Sequence, residues 1–319
     1  AYREYDIADV KNELTTPRLD AADIKISSPG HAVTISGAKS AEETAGTSTS
    51  GGNLEISAAS ITMDEQAVIE IASGNLFLKA DGAGADAGVF IREGSRILAY
   101  GTDGFPGGTI SARSKRGRVV LGPDCLLDVS AGSQGDAGRL ILYAPEEGVD
   151  LVGHVRGTGA DAGRGGSFSL TTDVISVTDD SIDDPLEETV PTENEADGLV
   201  AEANPLTLLN AKLVEGGLDR IIEIVTREGD IDVTDMMTAR KLKLVAGGGS
   251  INVSGRLNAS GLGDPSGAGE GGEVSLYAYE NIDILDNPEL EDGYAEIDVA
   301  GSGINGAGGR AMISAGHLD

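Results

Sequence analysis

The sequence predicts an all-β protein: a parallel β-helix, or β-solenoid, of about 28 residues per coil with three short strands in each, broken once by an irregular insertion holding a short helix. Three observations predict it. Apolar residues alternate with polar ones over most of the chain, as in Leu140-Ile141-Leu142-Tyr143-Ala144 and Leu242-Lys243-Leu244-Val245-Ala246. Glycines close these segments at related intervals: Gly52 to Gly108 is 56 residues, Gly108 to Gly138 is 30, and Gly138 to Gly166 is 28. Composition is the third, with 47 glycines, 3% aromatics and no tryptophan in 319 residues. A core without large rings is assembled from Val, Ile, Leu and Ala, which suits a thin, repetitive interior.

The elements follow in order. Residues 1–23 are irregular and read as an N-terminal segment or cap, in which a strand or short helix beginning at Asp6 is ended by Pro17. A first repetitive region covers 24–177: Val33 and Ile35 share one face, Leu54-Glu55-Ile56 resumes the alternation, and short strands recur to Ile175. Between them lie Gly- and Asp-rich corners, where glycine is expected to supply positive φ. The corners at 84–88 and 159–163 carry the same Gly-Ala-Asp-Ala-Gly. One coil cannot bury its apolar face, so the next must stack on it at about 4.8 Å.

Residues 178–220 break the pattern. The stretch to Asp197 is acidic and punctuated by Pro185 and Pro191, which buries no core and is expected to protrude. The chain's best helix signal then spans 205–215: Asn204 as N-cap, Pro205 at the first helical position, Leu206, Leu209 and Leu213 on one face, and Gly216-Gly217 as the stop. Its leucines are expected against the flank of the stack. The repeat resumes over 221–319 and is cleanest after Gly229.

The phrase Leu244 to Gly261, Leu-Val-Ala-Gly-Gly-Gly-Ser-Ile-Asn-Val-Ser-Gly-Arg-Leu-Asn-Ala-Ser-Gly, returns in altered form at Glu296 to Gly303. It resembles the repeats of filamentous-haemagglutinin-type exoproteins of Gram-negative bacteria, a two-partner secretion family. The resemblance implies a right-handed β-helical shaft, a secreted or cell-surface location and an outer-membrane transporter as export partner. The family's Asn-Pro-Asn export motif is not matched; Asn204-Pro205-Leu206 departs from it.

Charge and chemistry bound the function. Lys+Arg 23 against Asp+Glu 53 leaves a net charge of −30, which disfavours nucleic acid and anionic lipid as partners. Cys125 is the sole cysteine, so no internal disulfide forms, and its neighbours Leu126 and Leu127 imply a buried thiol. His31, His154 and His317 are far apart, no nucleophile elbow occurs, and no catalytic residue is expected. A polysaccharide lyase or hydrolase is the enzymatic alternative, with Asp128, Asp150 and Asp161 beside Arg139, Arg156 and Arg164 on one side of successive coils. The competing reading makes these outward charges that neutralise one another. No cofactor is expected beyond calcium, whose candidate ligands are Asp179, Asp180, Asp183 and Asp184. The expected function is a non-enzymatic shaft for attachment or assembly, with a surface receptor or glycan as partner and end-to-end self-association as a further alternative. No run of about 18 apolar residues exists to insert in a membrane.

Overall fold

The computed structural model describes residues 3–6, 23–37, 51–102, 104–161, 163–178, 204–260, 271–286, 294–301 and 307–316. The described residues are mostly strand. The first thirteen strands are β1 (Arg3–Asp6), β2 (Asp23–Ser36), β3 (Asn53–Met63), β4 (Val68–Glu70), β5 (Asn75–Ile91), β6 (Arg96–Leu98), β7 (Thr109–Leu121), β8 (Leu126–Asp128), β9 (Arg139–Ala144), β10 (Val149–Leu151), β11 (His154–Arg156), β12 (Ser167–Thr172) and β13 (Ile175–Val177). Helix α1 (Pro205–Glu215) follows. After it come β14 (Ile221–Thr226), β15 (Ile231–Val233), β16 (Met236–Thr238), β17 (Lys241–Ala246), β18 (Ile251–Val253), β19 (Arg256–Asn258), β20 (Glu273–Ala278), β21 (Ile282–Ile284), β22 (Glu296–Asp298) and β23 (Arg310–Ala315).

Every described pairing is parallel. The largest sheet has 13 strands in the order β1-β2-β3-β5-β7-β9-β12-β14-β17-β20-β23, with β10 and β13 continuing the second half of β7. Three smaller sheets have the orders β4-β6-β8-β11, β15-β18-β21 and β16-β19-β22. Period-two alternation becomes ladders. Leu54, Leu76, Ile110, Leu140, Phe168, Ile222, Leu242 and Val274 occupy one register line facing inward, and each is at most 3% exposed. Each ladder residue packs on the one a row before it, so a core with few aromatics is filled by repetition.

Register corrects the expected repeat length. In the long sheet Asn53 pairs with Asn75, 22 residues on, and Asn75 with Thr109, 34 on. The interval then runs 30 to Arg139, 28 to Ser167 and 54 to Ile221. It continues as 20 to Lys241, 32 to Glu273 and 37 to Arg310. The interval of 56 between Gly52 and Gly108 does hold two rows, because Gly74 lies between them. Only the paired positions must match from row to row; the turns between them absorb the differences in length.

The expected reason for the glycine column is also corrected. Asn75 N donates to Gly52 O at 2.9 Å, Thr109 N to Gly74 O at 3.1 Å and Arg139 N to Gly108 O at 2.9 Å. Gly74, Gly108 and Gly138 are absent from the positive-φ positions. What they require is space, since a Cβ on Gly108 would lie 1.8 Å from Gly74 O, and one on Gly138 1.8 Å from Gly108 O. Positive φ does operate at other corners, such as Gly88 at +146° and Gly148 at +98°.

Helix α1 forms as its sequence signals direct. Asn204 Oδ1 accepts from Leu206 N at 2.8 Å, Pro205 opens the first turn, and Gly216 caps the end. Its leucines pack against the strands as expected, and Leu209 and Leu213 are fully buried in the common core. The helix packs against β11 and β13, where two columns of strands stop, and against β15 and β16, where two begin. Toward the earlier edge Gly216 O accepts from Gly157 N at 2.6 Å, and Lys212 Nζ donates to Val152 O at 2.6 Å. Toward the later edge Asn204 Nδ2 donates to Asp232 O, while Asn210 Nδ2 donates to Met236 O at 2.7 Å and its Oδ1 accepts from Thr238 N at 3.2 Å. The Asn210 amide thus offers β16 the donor and acceptor that a neighbouring peptide would. Among the described residues no helix is long and apolar enough to cross a membrane.

Candidate functional site

The carboxylates and guanidinia singled out in the sequence are dispersed. Asp128 lies on β8 and Asp150 on β10, strands of two different sheets. Asp150 is paired with Arg118, and the Asp128 carboxylate lies 3.9 Å from Arg156. Arg164 gives its backbone N–H to Asp136 Oδ1 at 2.9 Å, and Asp161 is exposed. Arg139 is on the outer face of β9, remote in register from these acids. The six residues form pairs and surface charges, with no shared cleft among them. Of the histidines, His31 on β2 and His154 on β11 are exposed in separate sheets, and His317 lies outside the described residues.

The candidate calcium ligands Asp179, Asp180, Asp183 and Asp184 also lie outside the described residues. Among the described residues no three His, Cys, Asp or Glu side chains gather where they could hold a metal ion. The recurring Asp and Asn at strand ends have a local task instead. Asp128 Oδ1 accepts from Ser130 N at 2.8 Å, Asn258 Oδ1 from Ser260 N at 2.9 Å and Asp298 Oδ1 from Ala300 N at 2.8 Å. Each closes an Asx turn, which explains the repeated Asx two residues before a small residue. Cys125 is fully buried as expected, and its thiol donates to Arg92 O at 2.8 Å.

Two ionisable groups have shifted protonation. Tyr100 Oη donates to Glu70 Oε1 at 2.6 Å, and burial, reinforced by that carboxylate, pushes its pKa up to about 12. Glu55 accepts from Lys25 and Lys79, both at 2.9 Å, and these hydrogen bonds lower its pKa to about 2. Burial also raises Asp219.

The site that sequence reading missed is the outer face of the long sheet. Over β5, β7, β9 and β12 the outward positions are 75, 77 and 79, then 109, 111 and 113, then 139, 141 and 143, then 167, 169 and 171. They hold Lys79, Arg113 and Arg139, two aromatic rings and a set of hydroxyls, and no acid. Lys79 lies 5.8 Å from the centre of the Phe77 ring, and Arg113 5.8 Å from that of Tyr143. Arg113 Nε donates to Ser111 Oγ at 3.0 Å, and no carboxylate among the described residues pairs with Arg113 or Arg139. The signal was present in the alternation, but the row-to-row register needed to align the three cations was not.

Set beside models of known families, curated proteins and solved structures, the chain matches none of them. The fold and the site therefore define a strand-rich, parallel, all-β protein with a cationic, aromatic strip on an acidic body.

Proposed function

We propose that the chain is a stretch of right-handed parallel β-helix and serves as the non-enzymatic shaft of an extracellular bacterial surface protein acting in attachment or assembly. The observation carrying this reading is the continuous parallel pairing from β2 to β23, in which β12 pairs directly with β14 across the long 167–221 interval while the helix meets the ends of the other strand columns on both sides. Ten successive strands in that column, at about 4.8 Å per step, give a rod about 43 Å long over the described rows. The likeness of residues 244–261 to filamentous-haemagglutinin-type repeats supports the surface location, and an outer-membrane transporter is the export partner it implies.

Small-angle scattering tests the shaft: a rod-like cross-section is expected, and a spherical pair-distance distribution would refute it. Deletion of residues 178–200 should leave thermal unfolding within a few degrees of the parent while changing cell attachment or assembly. Unchanged attachment and assembly would remove that segment from the function. End-to-end association is a second reading, favoured by Ile313 on β23 and Ile284 on β21, which are 52% and 47% exposed although the corresponding inward residues of earlier rows are buried. Light scattering over a concentration series decides it, and a constant monomer mass would exclude it.

A further inference from the structure

We propose that the outer face of β5, β7, β9 and β12 binds a linear acidic polysaccharide, one whose carboxylates or sulfates are spaced by whole sugar units. This deepens the shaft function by naming the ligand class, and it rests on that reading for its biological setting. The binding face itself needs only the strand register.

The twelve outward positions contain three cations and no acid in a chain of net charge −30; Lys79 is ion-paired with Glu55 of the adjoining row at 2.9 Å, while Arg113 and Arg139 have no carboxylate partner among the described residues. Lys79 and Arg113 are direct register partners, so their strands run about 4.8 Å apart. Arg139 stands at the other end of the face, four residues along β9 from Tyr143, about 13 Å away. Charges so placed match single anionic groups spread along a chain of sugars. The Phe77 and Tyr143 rings are half-buried on this face, where they offer apolar surface to a pyranose ring. Hydroxyls from Thr109, Ser167, Ser169 and Thr171 complete a surface suited to sugar hydroxyl groups.

The acidic remainder of the protein does not cancel this face. Three row steps and four residue steps give a patch of about 14 by 13 Å, larger than the Debye length of about 8 Å at physiological salt. Acids on the other sheets are screened at its centre. The acids at its rim matter more: Glu55 and Glu223 on the adjoining rows, in register with Phe77 and Ser169, and Asp81, Asp136, Glu146 and Asp173 beyond the paired positions. Glu55 is already neutralised between Lys25 and Lys79, Glu223 lies 2.8 Å from Lys243, Asp173 3.4 Å from Arg227 and Asp136 3.3 Å from Arg220. A nucleic acid, with one charge per roughly 1.7 Å, would press phosphates against that rim. A lipid bilayer would need protruding apolar anchors, and the Phe77 and Tyr143 rings of this face are half-buried.

The test uses the full chain and polygalacturonate as the probe, with neutral dextran, phosphatidylserine vesicles and single-stranded DNA as comparators, by titration calorimetry in 50 and 150 mM salt. The parent should bind polygalacturonate, more weakly at the higher salt, and should not bind dextran. The double variant Arg113→Gln, Arg139→Gln, which leaves the ion pair of Lys79 with Glu55 in place, should lose affinity at least about tenfold. A charge-matched control, Lys241→Gln with Arg256→Gln, should stay within about twofold, since those cations already face Glu273 and Glu296. Circular dichroism confirms that both variants fold. Parental affinity in the first variant, equal loss in the control, preference for vesicles or DNA, or no binding of polygalacturonate would each overturn the proposal. A rod by scattering with no polysaccharide binding would remove the ligand and leave the shaft, whereas binding by a non-rod would do the reverse.

Discussion

Asn210→Leu isolates the device by which the helix joins two stacks of strands. Leucine keeps the branched four-atom outline of asparagine and favours a helix, although its two methyl groups are bulkier than the amide oxygen and nitrogen, which the companion variant below controls for. What it removes is one donor to Met236 O and one acceptor from Thr238 N. Asn210 is 9% exposed, so water reaches this junction poorly. Two buried backbone groups left without partners cost about 1–3 kcal/mol each, or about 2–6 kcal/mol together. Urea unfolding followed by circular dichroism measures the loss. A companion variant, Asn210→Asp, separates hydrogen bonding from packing. Its carboxylate keeps the acceptor for Thr238 N but faces Met236 O without a proton at neutral pH. Near pH 4 the protonated acid donates to Met236 O, so the variant should approach the parent there and fall behind it near pH 7. A loss below about 0.5 kcal/mol in Asn210→Leu, or no pH-dependent recovery in Asn210→Asp, would refute the idea that this amide stands in for a strand's peptide.

Two further outcomes follow from the turns and the buried phenol. Gly108→Ala should prevent folding or cost more than about 4 kcal/mol, because its Cβ would sit 1.8 Å from Gly74 O. Gly104→Ala has open space and only a φ of +81°, so about 1–2 kcal/mol is expected; comparable losses at both sites in urea titrations would contradict the close-approach explanation. For Tyr100, the folded pKa of about 12 lies above its ordinary value of 10.0. Its stabilisation is therefore complete below pH 10 and lost as pH rises toward 12. Tyr100→Phe should flatten that alkaline limb of the stability curve, and an unchanged limb would assign it to other groups.

Much of the local structure was legible in the chain. Helix α1 was readable from Asn204, Pro205, the leucine spacing and Gly216-Gly217, because caps and periodicity act within a few residues. Inward ladders were readable too, since alternation fixes which side chains share a face. The candidate acid Asp128 was misleading for the same local reason: it looks like a site residue in sequence, yet it caps its own turn two residues on, as Asn258 and Asp298 do in later rows.

By itself, then, the order of residues determined strand, turn, helix and the sign of the total charge, all of which depend on near neighbours or on a sum. The tertiary structure alone decided the spacing of rows, because hydrogen-bond register between strands is indifferent to how many residues the intervening turns contain. It also decided where charge of each sign collects. Lys79 and Arg113 are 34 residues apart in the chain and neighbours across one step of the sheet, a proximity that no sum over the sequence contains.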